Sequence, residues 1–154
     1  MASMTVVIRP EDFDIATEHA ELSRANNTGA VVIFSGQVRP QGEHGELVAM
    51  ELEHYPGMTE TSIAAILKEA EQRWPLGAVR VIHRIGRLVP GDNIVLVGVA
   101  ATHRPAAFAA CEFVMDYLKT RAPFWKKEIT KDGSFWVEQK QKDTEAAARW
   151  QTDP

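Results

Sequence analysis

Hydrophobic residues along the chain recur with two periods, one typical of helices and the other typical of strands. The stretch GMTETSIAAILKEAEQRW has apolar residues at helical spacing and is followed by Pro75. The preceding stretch LVAMELEHY alternates apolar and polar residues, which is the period of a half-exposed strand. The pattern therefore predicts a strand over 47–55 and a helix over 57–74.

Other segments carry strand and turn signals. GAVVIFSGQVR is β-branched and almost wholly apolar, which predicts a strand buried on both faces that ends at Arg39. AVRVIHRIGRL and NIVLVGVAA flank the turn signal VPGD, so we expect these two strands to pair. FWKKEITKDGSFWVEQ predicts two short strands joined at Asp132-Gly133. Between strands, PQGEHGE is polar and contains proline and two glycines, which predicts a mobile loop.

Two further helices complete the predicted organisation. FDIATEHAELSRA follows Pro10, and RPAAFAACEFVMDYLK has Pro105 in its first turn and ends before Pro123. Four residues of the second helix fall on one predicted apolar face: Phe108, Cys111, Met115 and Leu118. Hairpin signals outnumber helical crossovers, which favours an α+β fold with a largely antiparallel sheet. We expect one domain over 1–139 and a polar tail over 140–154 that frays.

Composition narrows the class of protein. The 154 residues are 45% hydrophobic and 25% charged, as in ordinary globular proteins. Lys and Arg number 17 against 21 Asp and Glu, a net charge of −4 that argues against nucleic-acid binding. One cysteine, Cys111, excludes an intrachain disulfide. The N-terminus lacks a signal-peptide core and the longest apolar run, IVLVGVAA, is too short to span a bilayer, so we expect a cytoplasmic protein.

Cations are concentrated in the last third of this acidic chain. His103-Arg104-Pro105 lies where a buried strand gives way to a helix, and free N–H groups at a helix start favour phosphate or carboxylate. The alternative is that Arg104 pairs with a surface acid and His103 caps the helix. These three residues alone favour the second interpretation.

Lys119 and Lys126 form the second part of the cation cluster. Although the bend at Pro123 breaks their helical spacing, both could converge on an apolar-walled pocket, where burial and neighbouring cations lower a lysine pKa. The alternative is a lysine at a helix end beside a solvated Lys-Lys-Glu surface. The two lysines alone favour this second interpretation.

The remaining candidates favour structural roles. Cys111 falls on an apolar helix face, where core packing is its expected role. His83 lies inside a predicted strand, where a structural role is also expected. The histidines show no HxH or HExxH spacing, so we predict no metal site, and neither GxGxxG nor GxxxxGK[ST] occurs.

Several of these segments together resemble one family, the large catalytic subunit of molybdopterin synthase. They are FSGQVR, MELEHYPGM, HRIGRLVPGD, THRPAAFAACEFVMDYLK and APFWKKE with DGSFWVE, in family order from Gly29 to Glu138. The resemblance implies an α/β hammerhead-type domain with a small additional antiparallel β subdomain. PQGEHGE departs from the family pattern, in which this loop commonly carries asparagine before its glycine.

The resemblance also implies a reaction, its partners and its site residues. The enzyme would transfer sulfur from the C-terminal Gly-Gly thiocarboxylate of a small ubiquitin-like subunit to cyclic pyranopterin monophosphate, forming the dithiolene of molybdopterin in molybdenum cofactor biosynthesis. A homodimer would form the core of a heterotetramer, with no metal or other cofactor. Lys119 and Lys126 would be catalytic, and Arg39, His103 and Arg104 would hold the pterin phosphate. The competing hypothesis is a non-catalytic module that binds an anionic chain terminus or nucleotide.

Overall fold

Strands and helices are interleaved along the chain. The structure, a computed structural model, describes residues 2–137 and 141–151, without the side chains of 141 and 142. Its elements are, in chain order, β1 (Ser3–Arg9), α1 (Ile15–Ser23), β2 (Ala30–Gln37), β3 (Gln41–Gly42), β4 (Gly45–Glu46), β5 (Ala49–His54), α2 (Met58–Arg73), β6 (Ala78–Arg84), β7 (Gly86–Leu88), β8 (Asn93–Ala101), α3 (Arg104–Arg121), β9 (Phe124–Thr130), β10 (Gly133–Val137) and α4 (Gln141–Ala148), followed by a 3₁₀ turn, Arg149–Gln151.

The first sheet has the strand order β1-β6-β8-β2 and is covered on both faces by helices. Its β1–β6 pair is parallel and its other pairs are antiparallel. On one face α2 and α3 pack against the valines of β6 and β8. On the other face Leu22 of α1 packs against Ala78 and Ala100. This double cover explains why β8 is apolar along most of its length.

The second sheet is antiparallel, has the order β10-β9-β5-β7, and packs on a smaller core that includes Met50, Leu52 and Leu88. The chain passes from the first sheet to the second at Gly86, whose φ of 89° is accessible to glycine at little cost. The predicted α+β class with a largely antiparallel sheet is confirmed. No helix among the described residues is long and apolar enough to cross a membrane.

The predicted helices over 13–25, 57–74 and 104–119 are present, with small shifts at their ends. The predicted hairpin over 124–139 is also present. Its strands pair at Thr130 and Gly133, so the two-residue loop is Lys131-Asp132, one residue earlier than predicted. The predicted pairing of 78–88 with 93–101 holds for β6 and β8, but the segment 86–88 instead pairs with β5.

Two predictions about burial were wrong. Strand β2, predicted to be buried on both faces, is an edge strand, and 40% of the Phe34 side chain is exposed. Phe108 was predicted on the apolar face of α3, but it is 60% exposed. Cys111 and Leu118 are buried as predicted, but the buried face is centred toward Ala107, Ala110 and Val114 rather than toward Phe108 and Met115.

The tail and the predicted loop both contain regular structure. The tail was expected to fray, but α4 packs against α3, and the Trp150 ring lies 5.6 Å from Trp74 and 5.4 Å from Phe113. These aromatic contacts stabilise a segment that is polar in sequence. The predicted domain boundary at residue 139 lies outside the described residues. Within the predicted loop over 40–46, β3 and β4 form a short hairpin.

Candidate active site

A cleft of about 420 Å³ lies where the two sheets meet, beside the C-terminal end of α3. One wall is formed by Phe34 of β2 and Ile94 of β8 from the first sheet. The other comes from Leu52 of β5 and Phe124 of β9. Each sheet thus contributes apolar side chains to a concave surface, which is the usual form of a small-molecule site.

Lys119 and Lys126 both line this cleft. Lys119 lies in the last turn of α3, and Lys126 is the third residue of β9, after the bend at Pro123. The bend is held by Thr59, whose hydroxyl donates to the Pro123 carbonyl at 2.9 Å and accepts the N–H of Tyr55. The two lysines therefore line one cleft, because the chain reverses between them.

Strand alternation separates Lys126 from its neighbour Lys127. Lys126 and Glu128 line the cleft, whereas Lys127 lies 3.6 Å from Glu51 and over the Trp136 ring. The sequence presents Lys126 and Lys127 as equivalent cations. The strand gives them different environments, one in the cleft and one in a surface ion pair.

Arg39 is the third cation of the cleft. It follows β2 and is exposed, but its neighbour Val38 is buried and exchanges backbone hydrogen bonds with Asp92 and Gly91 at 2.9 and 2.8 Å. This anchoring fixes the base of Arg39 at the cleft. Among the described residues, no ion pair involves Arg39 or Lys119, so both charges can meet an anionic ligand.

Glu128 is a buried carboxylate at the rim of the cleft that the sequence did not identify as a site residue. Its oxygens accept the backbone N–H groups of Glu43 and His44 at 3.0 and 3.1 Å and lie 3.3 Å from the His44 ring. Burial raises the pKa of Glu128, but these donors and the charge of Lys126 outweigh burial and lower that pKa below its ordinary value. Glu128 therefore holds the β3–β4 hairpin beside the cleft as an anion.

The hairpin fits closely onto Glu128. A Cβ atom at Gly42 would lie 2.4 Å from the Glu128 carboxylate, so a larger residue there would displace the hairpin. The His44 ring stacks on Phe135 of β10 with 4.4 Å between ring centres. The segment that replaces the usual family loop is thus attached to the second sheet at several points.

We predict that Glu128→Ala detaches the hairpin. Two backbone N–H groups would lose their acceptor, which costs about 1–3 kcal/mol of unfolding free energy. Denaturant unfolding should show that loss, and limited proteolysis should show faster cleavage within 40–46. Glu51→Ala is the matched control, since it removes a partly exposed ion pair worth at most about 1 kcal/mol. Unchanged cleavage in the Glu128 variant would contradict the role of this carboxylate.

His103 and Arg104 lie away from the cleft, at the start of α3. They are exposed, His103 makes no side-chain cap hydrogen bond, and Arg104 has no ion pair within the described part of the chain. Arg104 and Lys119 are fifteen residues apart on one helix, or ~22 Å at 1.5 Å per residue. One copy of the chain therefore brings together Arg39, Lys119 and Lys126 but not His103 or Arg104.

His83 is a second cleft residue to which the sequence assigned only a structural role. It is 7% exposed, stacks on Phe124 with 3.8 Å between ring centres, and bonds the Arg84 carbonyl through Nδ1 at 2.8 Å. Burial above all lowers the pKa of His83 to about 4, with a further contribution from His54 and Lys119. The ring is therefore neutral at physiological pH. No spacing in the sequence would have signalled its position.

Cys111 is buried on α3, as predicted. Burial raises the pKa of its thiol to about 11, so the thiol stays protonated and is a poor nucleophile. We predict that Cys111→Ser keeps its activity and loses a modest amount of stability. Turnover and denaturant unfolding measure the two effects. A persulfide on Cys111 together with an inactive serine variant would contradict this assignment.

Known proteins with similar sequences are catalytic subunits of an enzyme. A Vibrio cholerae protein named molybdopterin synthase catalytic subunit is 55% identical over 146 residues, covering 95% of this chain and 97% of that protein. The solved structure of a molybdopterin biosynthesis MoaE protein from Burkholderia ambifaria has a TM-score of 0.83 at 51% identity, covering 99% of this chain and 100% of that one.

The family described as MoaE protein matches residues 8–121. The chain belongs to this family and is an enzyme. A more distant solved structure, described as a complex of subunits 1 and 2 of molybdopterin-converting factor from Helicobacter pylori, has the same fold, with a TM-score of 0.72 at 18% identity, covering 89% of this chain and 91% of that one. The competing hypothesis of a non-catalytic binding module is not supported by these relatives.

Proposed function

We propose that this chain transfers sulfur from the C-terminal thiocarboxylate of a small ubiquitin-like subunit to cyclic pyranopterin monophosphate, forming the dithiolene of molybdopterin. The observation that carries the proposal is the convergence of Arg39, Lys119 and Lys126 in one apolar-walled cleft. Family membership supports the same reaction. A phosphorylated substrate and an anionic thiocarboxylate must meet in one place, and a cluster of cations compensates the charge of both.

The three cations have different proposed roles. Arg39 holds the phosphate, because its planar guanidinium donates two parallel hydrogen bonds to such a group. Lys119 lies beside the terminal glycine of the small subunit and moves a proton during transfer. Lys126 stabilises the charge that develops on the substrate or on the acyl group, as cations do in preorganised sites.

Each proposed transfer exchanges one oxygen for one sulfur. The thiocarboxylate sulfur bonds to a side-chain carbon of the pterin, and the carbon–oxygen bond at that carbon breaks, with the departing oxygen taking up a proton. Water then cleaves the bond between the sulfur and the acyl carbon, so that the small subunit leaves as a carboxylate. Two such transfers supply both sulfurs of the dithiolene. Sulfur arrives already reduced, so the exchange uses no redox cofactor.

We further propose that a second copy of this chain supplies His103 and Arg104 to the cleft. Their exposure and their separation of ~22 Å from Lys119 along α3 support an intermolecular role. A homodimer would then be the core of a heterotetramer with one small subunit at each end. The description of the H. pylori structure as a complex of two subunits is consistent with such an assembly. We assign the reaction to the cytoplasm, where a lone thiol such as Cys111 stays reduced.

The decisive experiment is turnover with defined components. The protein is mixed with a thiocarboxylated small subunit and the pyranopterin, and the dithiolene product is measured. A small subunit that ends in an ordinary carboxylate is the control, since it offers no sulfur. Product should form only with the thiocarboxylate. Binding of both partners without product would contradict the proposal and favour a binding module.

A further inference from the structure

The His83 ring presents one nitrogen to the cleft. A backbone carbonyl can only accept a hydrogen bond, so Nδ1 donates to the Arg84 carbonyl and carries the ring hydrogen. In a neutral imidazole the other nitrogen, Nε2, then carries a lone pair. His83 is neutral at physiological pH because its pKa lies near 4. Nε2 is therefore a hydrogen-bond acceptor.

This acceptor has no partner within the described part of the chain. The only hydrogen bond of the His83 side chain there goes to Arg84. No fully buried side-chain nitrogen or oxygen among the described residues lacks a partner, so Nε2 is reached from the cleft that His83 lines. A polar atom of a residue that is only 7% exposed, and that has no partner among the described residues, is placed to meet a ligand.

The surroundings of His83 restrict the kind of ligand group. Phe124 covers one face of the ring, and Lys119 and His54 lie close enough to influence its titration. A phosphate or carbonyl oxygen carries lone pairs and would repel Nε2, so the phosphate is better held by the cations of the cleft. An N–H or O–H group is the complementary partner.

We propose that Nε2 of His83 accepts a hydrogen bond from an N–H or O–H group of the bound pterin. This inference rests on the proposed function, because it names a contact in the same cleft. His83 would orient the ring system while Arg39 and the lysines hold the anionic groups. A substrate analogue in which that donor is replaced by an acceptor should be rejected, because two acceptors would then face each other.

Two substitutions distinguish the contribution of the Nε2 acceptor from that of the rest of the His83 side chain. The amide of His83→Asn can replace Nδ1 and bond the Arg84 carbonyl, but it does not reach the position of Nε2. The longer His83→Gln can present its oxygen near that position. Both lose the stacking on Phe124 equally, so stacking cannot explain a difference between them.

We expect His83→Asn to bind the pyranopterin roughly five- to 150-fold more weakly, because a donor of the substrate is left without an acceptor. His83→Gln should bind within about threefold of the wild type, since it restores one hydrogen bond. Calorimetry measures both affinities, and affinity for the small subunit should not change. Equal pterin affinity of the two variants would overturn the proposal.

The wild-type protein gives a second test that needs no substitution. With ¹⁵N-labelled histidine, the Nε2 resonance of His83 should shift when the pyranopterin binds, as expected for a lone pair that accepts a hydrogen bond. Inorganic phosphate alone should leave this resonance unchanged. Pterin binding without a shift would overturn the contact and leave the proposed function intact. Failure of the wild type to bind the pterin at all would instead count against the proposed function.

Discussion

Lys119→Ala should lower turnover by about 10²–10⁴-fold, the range typical of a lost general acid–base group. Lys119 lies in the last turn of α3 and lines the cleft, and its charge is not neutralised by any ion pair among the described residues. The proposed transfer also needs a proton to move as oxygen leaves. Affinity for the small subunit should stay within a few fold of the wild type, since one side chain is a minor part of such an interface. Single-turnover formation of the dithiolene measures the effect.

Two further variants identify the reason for that loss. Lys119→Arg should not restore activity, because a guanidinium stays protonated and cannot pass on a proton. Lys127→Ala is the matched control, since Lys127 faces away from the cleft and pairs with Glu51. It should retain near-wild-type turnover. High activity of Lys119→Arg would mean that Lys119 acts only as a fixed positive charge. The proton transfer would then be assigned to Lys126 or His103.

Local signals in the sequence predicted the helices well because those signals act within a few residues. The helix predicted over 57–74 spans 58–73, and α3 begins at Arg104 with Pro105 in its first turn. The face that α3 buries was harder to predict. Ala107 and Ala110 are small and weakly hydrophobic, yet they face the core because closely packed elements need small residues there.

Contacts between residues far apart in sequence determined several features of the fold that the local sequence pattern did not predict. Strand β1 was not among the predicted strands, and it pairs with β6 as a parallel strand more than 70 residues away in sequence. Strand β2 has the composition of a buried strand, but no further strand of the described residues covers its outer edge. The tail is polar, but Trp150 packs against Trp74 and Phe113, and Arg149 pairs with Asp116 of α3. Residues far apart in sequence set each of these outcomes.

The candidate site also combines residues that the sequence predicted with residues that it did not. Family resemblance selected Lys119 and Lys126, and the bend at Pro123 brings both into the cleft. Neither resemblance nor spacing selected Glu128 or His83. Glu128 acts on backbone groups more than 80 residues away, and the importance of His83 depends on one unpartnered nitrogen. Such features depend on three-dimensional contacts. The sequence alone therefore does not distinguish these two residues from ordinary charged or structural residues.

A mixture of two inactive variants should recover activity if His103 and Arg104 act on a neighbouring cleft. In a dimer of one Lys119→Ala chain and one Arg104→Ala chain, one site would carry both defects and the other would carry neither. Random exchange makes half of the dimers mixed, so about a quarter of all sites would be intact. Turnover should therefore rise to about a quarter of the wild-type value, measured at limiting pterin.

The matched control mixes Lys119→Ala with Arg39→Ala. Both residues line the cleft of the same chain, so every site in a mixed dimer would carry one defect and activity should stay low. Arg104→Ala alone should already weaken pterin binding by roughly 10- to 150-fold, the effect of losing a charge-assisted hydrogen bond. Exchange of subunits is verified by co-purification of two differently tagged chains. If exchange occurs and the first mixture remains inactive, Arg104 does not complete the neighbouring site, and its separation from Lys119 along α3 would place it outside the active site altogether.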